Sequence, residues 1–473
     1  MRFDFNQIDN IINARSIAIV GASNNPGKFG YLFAASQLSM GFTGQVYLVN
    51  PREKEIMGRE AFPDLPSLPQ PPDLVYVTVP ARLSVGVLSD CVASGVKGVV
   101  LMASGFREMG ESGLELEHKA LDLAAEGGFR IIGPNCFGIY NPRNHLTLLP
   151  GYDFSTVPGD VAFISQSGGF SAHVARLGGS LGIRFSAVIS YGNAADLDET
   201  DLLRYFTLDD RTGIITGYLE GVRNGNEFVE ALKGAAASKP VVLWKVGKGK
   251  SAGRAVTSHT GSLAGSSEIW ESLMRQCGVI EASGVEELCD VVLALKSMGR
   301  NPGRRLLISG GGGGLGTYGT DLAEEAGLEV PPLAGETLSR MEEALGRAGA
   351  VAGNPMDIGA PLIPLPTFES AVRSAAINPT TDILVFDLAV NFAHGLAGEE
   401  GLDAAADVLI ESGRRSGKPV AVALYSRSCD PGDLTFEEIL RRLRATLLDA
   451  GVAVFPSMKR AIRAISLINN HPV

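Results

Sequence analysis

Ile17-Ala-Ile-Val-Gly-Ala-Ser23 is a short, wholly apolar run that breaks at a glycine and opens into an amphipathic stretch. The same arrangement returns at Val161-Ala-Phe-Ile-Ser-Gln-Ser167-Gly168-Gly169, and again at Arg305-Leu-Leu-Ile-Ser309 before Gly310 to Gly314. A strand without polar alternation must be covered on both faces, which is the situation of a parallel sheet between helical layers. Further β-type runs follow each opening: Val46–Val49, Leu74–Val79, Gly98–Met102 and Arg130–Ile132; then Ala187–Ser190, Gly213–Leu219 and Val241–Val246; then Asp382–Leu388 and Val420–Leu424. Helical patterns such as Leu114–Glu126 and Glu268–Gln276 separate them. The expected fold is α/β, with three doubly wound Rossmann/flavodoxin-like parallel-sheet domains. The alternation pauses in Asn141–Pro158 and near Asn301-Pro302-Gly303, which predicts domains at 1–145, 146–299 and 300–473.

Composition narrows the function classes. Of 473 residues 45% are hydrophobic and 20% charged, enough to bury a core and to exclude global disorder. Glycine occurs 58 times, well above the usual share of about 7%, as many strand-to-helix turns require. The net charge of −11 disfavours a generic nucleic-acid binder. Five scattered cysteines (Cys91, Cys136, Cys277, Cys289, Cys429) without a C-x-x-C pair argue against a disulfide framework or zinc site, and no metal site is expected. The N-terminal MRFDFNQIDNIINARS lacks a signal-peptide apolar region, and no 18-residue apolar run occurs. A cytoplasmic protein without membrane association is therefore expected.

The first opening, Gly21-Ala22-Ser23-Asn24-Asn25-Pro26-Gly27-Lys28-Phe29-Gly30, turns backbone N–H groups and a helix N-terminus toward an anion. It departs from G-x-G-x-x-G at Ser23 and in the longer spacing to Gly27. The second strand ends Val49-Asn50-Pro51-Arg52, where an NAD site would place an acid for the ribose. Lys28 and Arg52 instead favour a ligand with extra phosphate, such as NADP or coenzyme A. A glycine turn that merely packs strand on helix is the plain alternative.

The sharper signal follows strand Val241–Val246. Some twenty residues from Gly247 to Ser266 are built of Gly, Ala, Ser and Thr around one imidazole, His259, with Lys248, Lys250 and Arg254 nearby. A structureless stretch of that length is usually functional or disordered. A neutral imidazole can take a phosphoryl group near pH 7 and pass it on, and a carboxylate is its usual orienter. Glu220, in Tyr218-Leu219-Glu220-Gly221 at another strand end, is the candidate, with phosphate expected on the Ser165-Gln166-Ser167-Gly168-Gly169 turn. The other histidines lie in ordinary settings, and Cys136 reads as structural.

At these residues the chain resembles the NDP-forming acyl-CoA synthetases, the superfamily of succinyl-CoA synthetase and the ADP-forming acetate–CoA ligases. The resemblance runs through Gly21-Ala-Ser, Pro26-Gly27-Lys28, Val49-Asn50-Pro51, Val79-Pro80-Ala81, Gly133-Pro134-Asn135-Cys136, Ile164 to Gly168 and Leu219-Glu220-Gly221. Ser258-His259-Thr260-Gly261-Ser262-Leu-Ala-Gly265-Ser266 is its most diagnostic part. In the third domain it rests on Asn354-Pro355-Met356-Asp357 and the Gly-rich turn, here an unbroken five-Gly run in place of a mixed one. The resemblance implies a CoA-binding Rossmann-like first domain, a ligase domain with a phosphohistidine loop, and a flavodoxin-like ligase-associated third domain. It places CoA on Gly21, Ser23, Pro26, Gly27, Lys28, Asn50, Pro51, Arg52, Val79, Pro80 and Asn135. The phosphoryl group falls on Ser165, Ser167, Gly168 and Gly169, and catalysis on His259 and Glu220.

The implied reaction interconverts acyl-CoA, phosphate and NDP with a carboxylic acid, CoA and NTP, through acyl phosphate and phosphohistidine. The nucleotide site of the family, for ADP/ATP or GDP/GTP with Mg, belongs to an ATP-grasp module. No such module and no G-x-x-x-x-G-K-[ST] loop is recognisable, so the resemblance implies an α-subunit working with a β-type ATP-grasp partner, as a hetero-oligomer or α-chain dimer. The alternatives are a non-catalytic CoA-binding or regulatory homologue, which retention of His259 and Glu220 argues against, and an NADP-linked oxidoreductase.

Overall fold

The computed structural model describes residues 3–148, 153–249, 251–252, 266–345, 352–358, 364–426, 430 and 434–470. The chain divides into two compact units, Met1–Leu288 and Cys289–Pro472.

The first unit holds two sheets. One contains β1 (Ser16–Val20), β2 (Gln45–Val49), β3 (Glu55–Ile56), β4 (Arg59–Phe62), β5 (Leu74–Val77), β6 (Gly98–Leu101) and β7 (Arg130–Ile132), in the order β3-β4-β2-β1-β5-β6-β7. Only the β3–β4 pair is antiparallel. The six parallel strands, counted along the chain, stand 3-2-1-4-5-6, the Rossmann order. β1 and β5–β7 are buried throughout because helices cover both faces.

The other sheet comprises β8 (Gly138–Tyr140), β9 (Val161–Ser165), β10 (Phe185–Ser190), β11 (Ile214–Leu219), β12 (Val241–Lys245) and β13 (Ile280–Ala282), ordered β13-β12-β11-β9-β10-β8. Its five parallel strands run 2-1-3-4-5 read from the β10 end, the flavodoxin-like order, and β8 closes the edge antiparallel to β10. The second sheet thus begins before residue 146. Tyr140 holds β8 there, its ring 5.0 Å from Phe154 and 6.3 Å from Phe185.

A buried ion cluster joins the two sheets. Arg130, 1% exposed, donates from Nε to Asp196 (2.9 and 3.0 Å) and from Nη2 to Asp201 (2.9 Å), while Asp196 also accepts the Ile131 N–H. Such a cluster adds little net stability over an apolar replacement but fixes geometry, and removing one partner typically costs about 3–5 kcal/mol.

The second unit carries β14 (Leu306–Gly310), β15 (Met356–Asp357), β16 (Ile383–Ala389), β17 (Val420–Tyr425) and β18 (Ala453–Phe455), all parallel, in the order β15-β14-β16-β17-β18. This is again the flavodoxin-like order. The five-Gly run ends β14 and starts the helix Gly313–Glu325. Asn354 anchors the neighbouring strand: its amide donates to the Leu306 and Pro331 carbonyls and accepts the Ile308 N–H. The long apolar runs of the sequence are these strands. The elements it did not announce (β3, β4, β8, β13, β15 and β18) have two to four residues each, too few to establish a period.

Candidate active site

Two candidate sites fall at the strand-order reversals of the first unit, where parallel sheets gather ligands. In the first sheet the reversal falls between β1 and β5, and a cavity of about 820 Å³ opens there. Its floor depends on paired glycines. Gly21, at φ +94°, leaves only 2.7 Å between a would-be Cβ and Thr78 Oγ1, and a Cβ on Gly30 would sit 1.9 Å from the Gly21 carbonyl oxygen. The helix Phe29–Met40 can therefore start directly over the turn and aim its N-terminus at the cavity.

Nine residues expected at a CoA site line this cavity: Gly21, Gly27, Lys28, Asn50, Pro51, Arg52, Val79, Pro80 and Asn135. Ser23 and Pro26 are not in the lining. Ser23 is 2% exposed; its hydroxyl donates to Glu53 and accepts the Asn25 N–H, so it shapes the turn. Asn50 braces it by donating a hydrogen bond from its side-chain Nδ2 to the Ala22 carbonyl (2.7 Å). Asn135, at φ +58°, donates to Asn193 of the second sheet's β10 loop (3.3 Å), and Asn193 donates to Glu108 (2.5 Å). Cys136 also lines the cavity, but burial pushes its thiol up to about 12, which leaves it unreactive as a nucleophile.

In the second sheet the reversal lies between β9 and β11, which are paired Ser165 to Tyr218. This pairing brings together the Ser165–Gly169 turn and Glu220. Ser165 Oγ donates to the Ser167 carbonyl (2.8 Å) and accepts the Ser167 N–H (3.0 Å), while Ser167 caps the helix Gly168–Ser180 by accepting the Phe170 N–H. The N–H groups of Gly168 and Gly169 lie in the first turn and have no intrahelical acceptor, and a Cβ on Gly169 would point into open space. Glu220, 4% exposed, accepts the Tyr218 hydroxyl (3.1 Å). Its backbone is held by Gln166, whose Oε1 accepts the N–H groups of Glu220 (2.5 Å) and Gly221 (3.1 Å) and whose Nε2 donates to the Gly221 carbonyl (3.1 Å).

His259, Lys250 and Arg254 lie outside the described residues. Both flanks of their segment are described. Lys248 pairs with Glu281 (2.5 Å), so its charge is matched rather than free to act as a diffuse positive field. Lys245, at the end of β12, donates to the Glu220 carbonyl (2.9 Å) and to that of Val246, and its Nζ stands 5.2 Å from the centroid of the Trp270 ring.

Two family models match stretches of the chain. Residues 15–142 match the family model of a CoA binding domain, and 158–295 that of a succinyl-CoA ligase like flavodoxin domain. Acetate–CoA ligase (ADP-forming) I subunit alpha of Pyrococcus furiosus is 33% identical over 475 residues, 98% of this chain and 97% of that protein. The chain belongs to the NDP-forming acyl-CoA synthetases. Acetate–CoA ligase (ADP-forming) I of Archaeoglobus fulgidus is 33% identical over 470 residues, which span 98% of this chain and 64% of that protein. The solved structure of the dinucleotide forming acetyl-coenzyme A synthetase 1 of Ca. Korarchaeum cryptofilum, in complex with phosphate and ADP, aligns at a TM-score of 0.81 and 31% identity, covering 98% of this chain and 96% of that one.

As an NDP-forming acyl-CoA synthetase chain, the molecule is an acid–thiol ligase of α-subunit type. The candidate site includes residues that motif reading passed over, among them Phe137 in the lining of the β1–β5 cavity. Gln166 stood in plain view between two flagged serines. Phe137, Asn193 and Lys245 gave no local signal, because their roles come from strands distant in sequence. Among the described residues no helix is long and apolar enough to cross a membrane.

Proposed function

We propose that this chain is the α-subunit of an acyl-CoA synthetase that interconverts acyl-CoA, phosphate and NDP with carboxylic acid, CoA and NTP. CoA occupies the cavity at the β1–β5 reversal, its phosphates facing the N-terminus of the helix Phe29–Met40, Lys28 and Arg52. Phosphate at the Ser165, Ser167, Gly168 and Gly169 turn attacks the thioester carbonyl; the C–S bond breaks and CoA leaves as a thiolate that takes up a proton. The acyl phosphate then loses its phosphoryl group to the His259 imidazole, with the carboxylate as leaving group and Glu220 orienting the ring. Phosphohistidine finally passes the group to ADP or GDP, with Mg, at an ATP-grasp site on a β-type partner. The domain division 1–145, 146–299 and 300–473 would then separate CoA binding, phosphoryl capture and an accessory role, in a cytoplasmic hetero-oligomer or α-chain dimer.

The observation that carries this reading is the convergence, on adjacent strands β9 and β11, of an anion-ready helix start and a buried carboxylate beside the CoA-sized cavity. The P. furiosus relative's designation as a subunit alpha, and the longer A. fulgidus relative, support a nucleotide site on a partner. The test is labelling of the full chain with acetyl-CoA and radiolabelled phosphate. Acid-labile, base-stable label is expected on the wild type and absent from His259→Asn; equal labelling of the two refutes the assignment. NADP binding in place of CoA, read by nicotinamide fluorescence, would favour the oxidoreductase.

A further inference from the structure

Lys245 is 4% exposed at the C-terminal end of β12, the strand that leads into the His259 segment. A buried ammonium is costly unless its three donors are satisfied. Two go to carbonyls, those of Glu220 at the end of β11 and of Val246, the first residue after β12. The Trp270 ring stands 5.2 Å from the same nitrogen, an electrostatically favourable face for a desolvated cation. Trp270 belongs to the helix Ser267–Cys277, on the far side of the His259 segment, and is itself buried against Phe228 (5.7 Å). One charged atom therefore touches the strand end bearing the candidate carboxylate and both roots of the segment bearing the candidate histidine.

We infer that Lys245 is the positioning residue of the phosphoryl-transfer loop, its ammonium locking the two loop roots and the Glu220 strand end into one frame. The inference rests on the phosphohistidine reading above. With its donors taken by carbonyls and an aromatic face, Lys245 acts through the loop and Glu220 rather than on the phosphoryl group. A neutral amine keeps two N–H donors but loses the charge that strengthens both carbonyl bonds and draws the nitrogen to the Trp270 face, so the frame loosens when the ammonium loses its proton. Burial first, then the Lys248 charge, lower the Lys245 pKa to about 8, against the pull of Glu220 and Glu281. The charged groups around it are thus Glu220 from β11, Glu281 from β13, Lys248 from its own strand's continuation, and Glu271 of the Trp270 helix, 3.9 Å from Lys248.

The test measures the rate of phosphohistidine formation by the full chain, using acetyl-CoA and radiolabelled phosphate, from about pH 6 to about pH 10. Wild type is expected to slow as pH rises through about 8. Lys245→Met is expected to label about 10- to 100-fold more slowly at neutral pH, with the KM for CoA unmoved. Lys245→Arg, charged across this range, is expected to restore most of the rate and to abolish the alkaline decline. The fluorescence of the two tryptophans, Trp244 and Trp270, should titrate in parallel in wild type and stay flat in Lys245→Arg. Labelling of Lys245→Met at the wild-type rate, or an unchanged alkaline decline in Lys245→Arg, overturns the inference while leaving the His259 reading intact. Equal labelling of wild type and His259→Asn overturns both. Should Lys245→Met fail to fold, the Lys245→Arg profile decides.

Discussion

The ring of Phe137 packs so closely on Gly168 that a Cβ built there would meet it at 2.7 Å. Phe137 also lines the cavity at the β1–β5 reversal, and Gly168 is the first residue of the helix that follows β9. This contact sets the wall of one candidate site against the anion-ready turn of the other, as the proposed passage of an acyl group from thiol to phosphate requires. Phe137 is fixed in turn by its N–H bond to Ser190 Oγ (3.0 Å) at the end of β10.

Gly168→Ala should therefore misplace the turn. An overpacked site of this kind costs about 1–3 kcal/mol, and acyl phosphate formation should fall about tenfold or more as the N–H groups shift. Trimming the ring in a Phe137→Leu, Gly168→Ala double variant should recover part of the stability. Thermal unfolding of the four-member cycle measures the coupling; strict additivity would mean that the two residues do not press on each other.

At the cavity, Arg52 stands just past the end of β2, where a ribose-binding acid would otherwise stand, and Lys28 lies at the start of the helix Phe29–Met40. Arg52→Ala should weaken CoA binding about tenfold, the ordinary worth of one charge-assisted phosphate contact. Dephospho-CoA, which lacks the 3′-phosphate, should lose much less. Calorimetric titration of both ligands separates a specific contact, which shifts the ratio, from a diffuse field effect, which weakens the two alike.

The sequence made these elements legible where physics is local. Apolar runs such as Val161–Ile164, too short for a helix and β-branched or aromatic in part, read as buried strands, and a glycine soon after the strand end marks the turn. Order within the sheets was not legible: nothing in Ile214–Leu219 says that it lies beside β9 rather than β10. That placement registers Tyr218 with Ser165 and sets the Glu220 backbone against Gln166. Ser23 shows the opposite case. It occupies a motif position, yet its hydroxyl turns to Glu53, a partner thirty residues away that no local pattern announces.

Gln166 tests whether Glu220 needs its backbone clamp. Gln166→Met keeps the volume but strips three hydrogen bonds, leaving the Glu220 and Gly221 N–H groups and the Gly221 carbonyl unmatched in a buried setting. A loss of about 2–3 kcal/mol in stability and a larger drop in His259 labelling than in CoA binding are expected. Gln166→Glu can still accept both N–H groups but cannot donate to Gly221, so it should fall between wild type and Gln166→Met.

Glu199 gives the pH dependence of the fold. It starts the helix Glu199–Leu208 with no exposed surface, and its Oε1 accepts the Arg223 N–H (3.3 Å). A helix N-terminus favours a carboxylate, but here burial wins: desolvation first, then the Asp198 charge, raise its pKa from 4.5 to about 8. A raised folded-state pKa means that the native chain keeps a proton the unfolded chain releases. The stabilisation is complete below pH 4.5, fades as pH rises, and is gone above about 8. Glu199→Gln keeps an acceptor for Arg223 and never ionises, so it should match wild type below about pH 4.5 and exceed it in unfolding free energy by pH 8, by on the order of 4 kcal/mol, read as a higher melting temperature. A melting-temperature difference independent of pH would show that the native carboxyl keeps its unfolded-state pKa, and would refute the burial account.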